Sequence, residues 1–186
     1  MSFGQICMQL VGGMGVTIQI FVLTLVFSLP LGLILALGRM SKNPVIRNIV
    51  RVYNSIMRGT PLMLQLLVVY FGPYYLFGLV LGDSYRGSAV IIAFALNYAA
   101  YFAEIYRSGI ASMPKGQYEA AEVLGYNRVQ TFVTILLPQV WKRVLPSITN
   151  EVITLVKDTS LAFSIAYAEM FTEAKALAAS QRSMVP

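Results

Sequence analysis

No charged residue occurs among the first 38 positions, and none occurs from position 59 to 82. A helix covers the roughly 30 Å of bilayer hydrocarbon in about 20 apolar residues, so either run is long enough to cross it. Core helices of soluble proteins seldom need such length. The whole chain agrees: 57% of its 186 residues are hydrophobic and 12% charged, where a soluble domain carries about a quarter charged residues. Mean hydropathy is +0.68. These features predict an all-α, polytopic membrane protein forming a single transmembrane domain over 1–186.

Several chemistries are excluded early. Cys7 is the only cysteine and there is no histidine, which removes an internal disulfide and a transition-metal site. No G-x-x-x-x-G-K-[ST] run exists, so no P-loop cradles a nucleotide here. Any ATP that drives the chain is bound by another subunit. The opening lacks a basic region before its apolar run, unlike a secretory signal. The net charge of +6 lies between apolar spans, not on a surface interleaved with aromatics, which argues against nucleic acid.

Four spans are expected. The first covers 16–37 with a bend at Pro30, after an amphipathic lead-in over 1–15 loosened by Gly12, Gly13 and Gly15. A loop with Arg39, Lys42, Arg47, Arg51 and Arg58 follows. The second span covers 60–80, between Pro61 and Pro73, and a neutral loop with Asp83 and Arg86 leads to the third, 88–106. Positions 107–143 are too polar to span and read as short helices at the inner surface. The fourth span covers 144–168, and a tail holds Glu169, Glu173, Lys175 and Arg182. Lysine and arginine favour cytoplasmic loops, and both basic segments fall on one side, placing the N-terminus outside.

The polar segment carries the most specific pattern: Pro114-Lys115-Gly116-Gln117-Tyr118-Glu119-Ala120-Ala121-Glu122-Val123-Leu124-Gly125, continuing to Ile135-Leu136-Leu137-Pro138. It resembles the EAA loop of ABC importer permeases: Glu-Ala-Ala, three residues, Gly, nine residues, Ile, one residue, Leu-Pro. Glu119, Ala120, Ala121, Gly125, Ile135, Leu137 and Pro138 fill every position. Alanines favour helix and let a partner approach closely. Glu119 and Glu122 are expected in the first turns, where the helix dipole favours negative charge.

Other segments resemble the polar amino-acid permeases of that superfamily: Arg58-Gly59-Thr60-Pro61 with Gln65, Ala100-Tyr101-Phe102-Ala103-Glu104-Ile105, Leu137-Pro138-Gln139 and Lys157-Asp158-Thr159-Ser160-Leu161. The resemblance implies the smaller, type I importer fold in a bacterial plasma membrane. It also implies a pore of two permease chains, as homodimer or heterodimer. ATPase subunits holding ATP and Mg²⁺ would dock on Glu119, Ala120, Ala121 and Gly125, and an extracytoplasmic amino-acid-binding protein would deliver substrate. The chain itself would do no covalent chemistry. Family members continue through another hydrophobic helix, so a fifth span is expected after Pro186.

The fourth span holds Glu151, Lys157 and Asp158, each of which costs about 2.5 kcal/mol or more at the centre of a membrane helix. Seven residues apart on one helix, Glu151 and Asp158 share a face about 10 Å long, with Thr154 between them. Asn150 and Lys157 share the neighbouring face. A zwitterion fits there: carboxylate to Lys157 or backbone N–H groups, ammonium to Glu151 or Asp158. Asn97 and Ser160 are further substrate candidates. An internal Lys157–Asp158 ion pair is the structural alternative. If Glu151 lines the cavity, a cationic amino acid is favoured. Glu104 is expected to pair with Arg107 or Arg58, and Tyr70, Phe71, Tyr74, Tyr75 and Phe77 to form an interfacial belt. The rival functions are a proton- or sodium-driven secondary transporter using Glu151 and Asp158, and a non-transporting scaffold.

Overall fold

A computed structural model describes residues 3–181, and every element among them is helical. Arg182 and Pro186 lie outside the described residues. Two helices are long and apolar enough to cross a membrane, and a bent pair between them passes the same test when taken together.

The first helix, α1 (Phe3–Arg39), is unbroken for 37 residues, about 55 Å at 1.5 Å per residue. The expected lead-in is therefore not separate, and the glycines do not interrupt the helix. Gly13 serves packing instead: a Cβ there would fall 2.8 Å from the Met170 Cα. Ile20, Thr24, Ser28 and Ala36 are buried along one side, while Ile18, Val22, Val26 and Phe27 are exposed on the rest. The buried stripe faces α4 (Tyr85–Ala111), where Ala95, Ala99 and Ala103 recur every four residues and are buried. Contact is close enough that a Cβ on Gly32 would lie 2.8 Å from the Phe102 Cβ. Small residues let membrane helices gain dispersion contact, because lipid tails give apolar side chains no reason to leave them.

The basic loop expected after the first span is largely a helix, α2 (Pro44–Gly59). Asn43 caps it, accepting from the Val45 N–H at 2.9 Å, and Pro44 supplies a pre-set φ at the first position. Val45, Ile49, Val52 and Ile56 form an exposed apolar stripe, with Val50 and Asn54 turned inward. Thr60 is extended before Pro61, as a residue preceding proline prefers. The chain then enters α3 (Leu62–Phe77) at 107° to α2. The expected second span, 60–80, thus holds one helix, α3, which meets α2 at a sharp break. Gly78, at φ 67°, ends α3, with Leu79 N–H donating to the Pro73 carbonyl in a Schellman closure.

Beyond α4 come α5 (Lys115–Val123), a short α6 (Arg128–Gln130), a six-residue π segment (Thr131–Leu136) and α7 (Leu137–Asp158). Asn127 and Gln130 cap each other at 2.9 and 3.0 Å, a capping box. The fourth hydrophobic segment is not one helix over 144–168. After Asp158 it tightens into a 3-10 stretch (Thr159–Ile165) and turns at Ala166, φ 54°. The last helix, α8 (Met170–Gln181), is capped by Glu169, 1% exposed. Its carboxylate accepts from the Phe171 and Thr172 N–H groups, both at 2.8 Å. That contact satisfies donors a helix start otherwise leaves open.

Candidate functional site

The break between α2 and α3 removes helical partners from the end of α2, and two amides replace them. Gln65 Nε2 donates to the Met57 carbonyl at 2.9 Å and to Thr60 Oγ1 at 2.7 Å. Asn97 Nδ2 donates to Met57 O and to Gln65 Oε1, both at 3.0 Å. Tyr53 OH adds a 2.6 Å bond to the Leu96 carbonyl. A buried polar group needs such partners, and here they fix the angle of the break against α4.

Beside it opens a cavity of about 400 Å³. Thr60, Pro61 and Leu62 supply one wall, Asn97, Tyr98 and Tyr101 of α4 a second, and Glu151, Thr154 and Asp158 of α7 a third. Tyr98 is the central residue of α4, so the cavity sits at mid-height. Its hydroxyl donates to Asp158 Oδ2 at 2.7 Å, a charge-assisted bond that fixes the carboxylate. Thr154 turns its hydroxyl to its own helix, donating to the Asn150 carbonyl at 2.9 Å.

Four of the six expected substrate residues thus meet: Asn97, Glu151, Thr154 and Asp158. Lys157 and Ser160 do not. Neither lines the cavity; Lys157 is exposed, and Ser160 Oγ donates to the Lys157 carbonyl at 2.8 Å. Successive residues point about 100° apart on a helix, so Lys157 cannot share the face of Asp158. No Lys157–Asp158 ion pair forms among the described residues. Both residues close α7 at its last turn, not at mid-helix, and there Lys157 complements the dipole.

A second cavity of about 320 Å³ lies next to the first, lined by Arg58, Tyr101, Glu104, Arg107 and Glu151 among others. Glu104 pairs with Arg107 at 2.7 Å, as expected, and with Arg39 at 3.9 Å, while Asn54 donates to it at 3.2 Å. One carboxylate therefore ties the ends of α1 and α4 to α2. The Arg58 guanidinium stands 5.3 Å over the Tyr101 ring, a cation–π contact.

At the same end of the molecule, α5 exposes Glu119, Ala120 and Glu122 along with Val123 and Leu124. Ala121 does not join that surface. It is fully buried against its own chain. The helix starts at Lys115, so no acidic residue occupies its first turn, contrary to the dipole expectation for Glu119 and Glu122. Gly125 adopts φ 77°, and the Tyr126 N–H closes back on the Ala121 carbonyl at 3.0 Å; only a residue at ease in that region turns the chain so tightly.

Tyr98, Tyr101 and Gln65 are the site residues that the sequence reading leaves unassigned. Polar side chains inside otherwise apolar spans were the available signal.

A lipid-exposed helical bundle with a polar cavity at mid-height, and a small exposed helix at its basic end, defines a membrane transport component. The chain belongs to the family of binding-protein-dependent transport system inner membrane components, matched over residues 28–181. It is 41% identical over 168 residues to the L-cystine transport system permease protein TcyB of Bacillus subtilis, covering 90% of this chain and 70% of that one. It is 38% identical over 160 residues to a putative glutamine transport system permease protein, GlnP, of Rickettsia bellii, covering 86% and 72%. Among solved structures, an amino acid ABC transporter crystallised with histidines superposes with a TM-score of 0.88 at 30% identity, over 99% of this chain and 84% of that one.

Proposed function

We propose that the chain is the permease subunit of an ATP-binding-cassette importer for polar amino acids, and that its site favours a cationic side chain. The observation that carries this is the mid-height cavity with two carboxylates, Glu151 and Asp158, facing an uncapped helix start. No side chain caps α3, and Pro61 and Leu62 line the cavity. The first N–H groups of a helix, with its positive dipole end, suit a carboxylate. With Lys157 outside this cavity, the α-carboxylate of the substrate belongs at α3. Its ammonium belongs at Asp158, and a basic side chain at Glu151. A volume near 400 Å³ suits a small ligand.

The relatives are permeases for cystine and glutamine, so amino-acid import is a shared theme with differing substrates. ATP is hydrolysed by separate ATPase subunits carrying Mg²⁺, which dock at the exposed face of α5: Glu119, Ala120 and the apolar Val123 and Leu124. The segment 107–143 is cytoplasmic, the N-terminus outside, and a second permease chain completes the pore. Substrate arrives from an extracytoplasmic binding protein. When the ATPases close, they push α5; α5 packs on the π segment that continues into α7, and α7 carries Glu151 and Asp158. The site then opens alternately to the two sides.

Reconstitution of the full-length permease with its ATPase and binding protein in vesicles, followed by labelled arginine and glutamine uptake, tests this. ATP-dependent uptake with arginine preferred is the expected result. Uptake that proceeds without ATP would refute the importer reading.

A further inference from the structure

Two cavities share one wall. Tyr101 and Glu151 line both the mid-height cavity and the smaller one toward the basic end. Three arginines stand near this wall, and two are already engaged: Arg107 and Arg39 both pair with Glu104. Arg58 is different. Among the described residues it has no carboxylate within ion-pair distance. Its guanidinium rests over the Tyr101 ring, in the cavity that Glu151 also lines. It also ends α2, one residue before the Gly59–Thr60 break that walls the upper cavity. A long cationic side chain is thus seated on an aromatic ring in a cavity that an acidic group also lines.

We propose that Arg58 is a resident competitor for Glu151: its seat over the Tyr101 ring is one of two, the other being on this carboxylate, and a cationic substrate side chain that takes Glu151 confines Arg58 to Tyr101. This rests on the assignment of Glu151 to the amino-acid site. An isolated carboxylate in low-dielectric surroundings is unfavourable without a partner, and an internal guanidinium supplies one without closing the site permanently. Arg58 is consequently a specificity-determining residue that never touches a neutral substrate. It sets how strongly a cation must bind before the site accepts it, because a substrate must compete with this internal cation for Glu151, which both cavities share. Glutamine, with no charge to offer Glu151, leaves Arg58 where it is.

The test uses the full complex in nanodiscs, with arginine and glutamine as probes and direct binding measured by calorimetry in the absence of ATP. Arg58→Gln is expected to tighten arginine binding about fivefold, the scale of one charge pair about 4 Å apart in a water-filled cavity, and to change glutamine binding less than twofold. Arg58→Lys, which keeps the charge, is expected to restore arginine affinity toward the wild-type value. In a Glu151→Gln background the Arg58→Gln gain should vanish, since the two residues would be coupled. Equal shifts for both probes, or a gain that persists without Glu151, would overturn the role of Arg58 while leaving the importer assignment standing. If Glu151→Gln alone leaves arginine binding unchanged, Glu151 is not in the site and both conclusions fall together. Retained glutamine binding in each variant shows that the protein is folded.

Discussion

Glu151 is placed on a wall where a single carboxylate meets two cavities, while Asp158 is held by Tyr98 at 2.7 Å. The two acids therefore differ: Asp158 has a fixed orientation, and Glu151 forms no ion pair among the described residues. Replacing Glu151 with Gln should weaken arginine uptake about tenfold and glutamine uptake less than twofold, as labelled competition would read. Equal losses would remove Glu151 from the selectivity role. Tyr98→Phe should weaken both substrates, because it releases the acid expected to meet the common ammonium group; a hydrogen bond to a charged group contributes about 1.5–3 kcal/mol. The acids were legible in the sequence because charge within an apolar segment is conspicuous. Tyr98 was not, since a tyrosine in a membrane helix is ordinary until its partner is seen. Lys157 lies outside the mid-height cavity for a related reason: seven-residue spacing sets which residues share a face, but says nothing of which face lines a given cavity.

Elements were legible in proportion to how continuous their apolar runs were. The helices α1 and α4 correspond to expected spans, each longer than expected because helix continues past the hydrophobic limits. Besides the lead-in that merges into α1, two elements depart from expectation, both where chemistry and geometry disagree. In α2 the arginines stand among valines and isoleucines spaced for a helix, so a segment that charge alone predicts as a loop is an amphipathic helix. After Asp158 the chain stays apolar, yet it tightens and reverses at Ala166; hydropathy is blind to that turn. The small helix α5 was located by its motif, but only its packing distinguishes two neighbouring alanines. Ala120 is exposed and Ala121 is fully buried. Ala121→Leu should therefore destabilise the permease by about 1–3 kcal/mol through overpacking, lowering its unfolding temperature in detergent. Ala120→Leu should leave unfolding unchanged and reduce uptake per ATP hydrolysed. The same loss of stability in both variants would show that α5 presents neither alanine to a partner.

Across the whole molecule, Arg39 at the end of α1 and Arg107 near the end of α4 converge on Glu104, and α5 follows from that same end. Cys7, exposed and the only cysteine, stands near the start of α1. With this orientation an impermeant maleimide should label Cys7 from outside intact cells. In a Cys7→Ser background, Val123→Cys should react only after permeabilisation. Labelling of both from outside would reverse the topology and remove α5 from any ATPase. The length of α1 has its own consequence. A rod of about 55 Å anchored at one surface by its terminal arginine has nearly twice the reach that hydrocarbon demands. Held upright, it raises Met8 and Val11, both well exposed, like a mast above the opposite surface, so a visitor descending toward the pore from that side meets a greasy post before it meets the entrance.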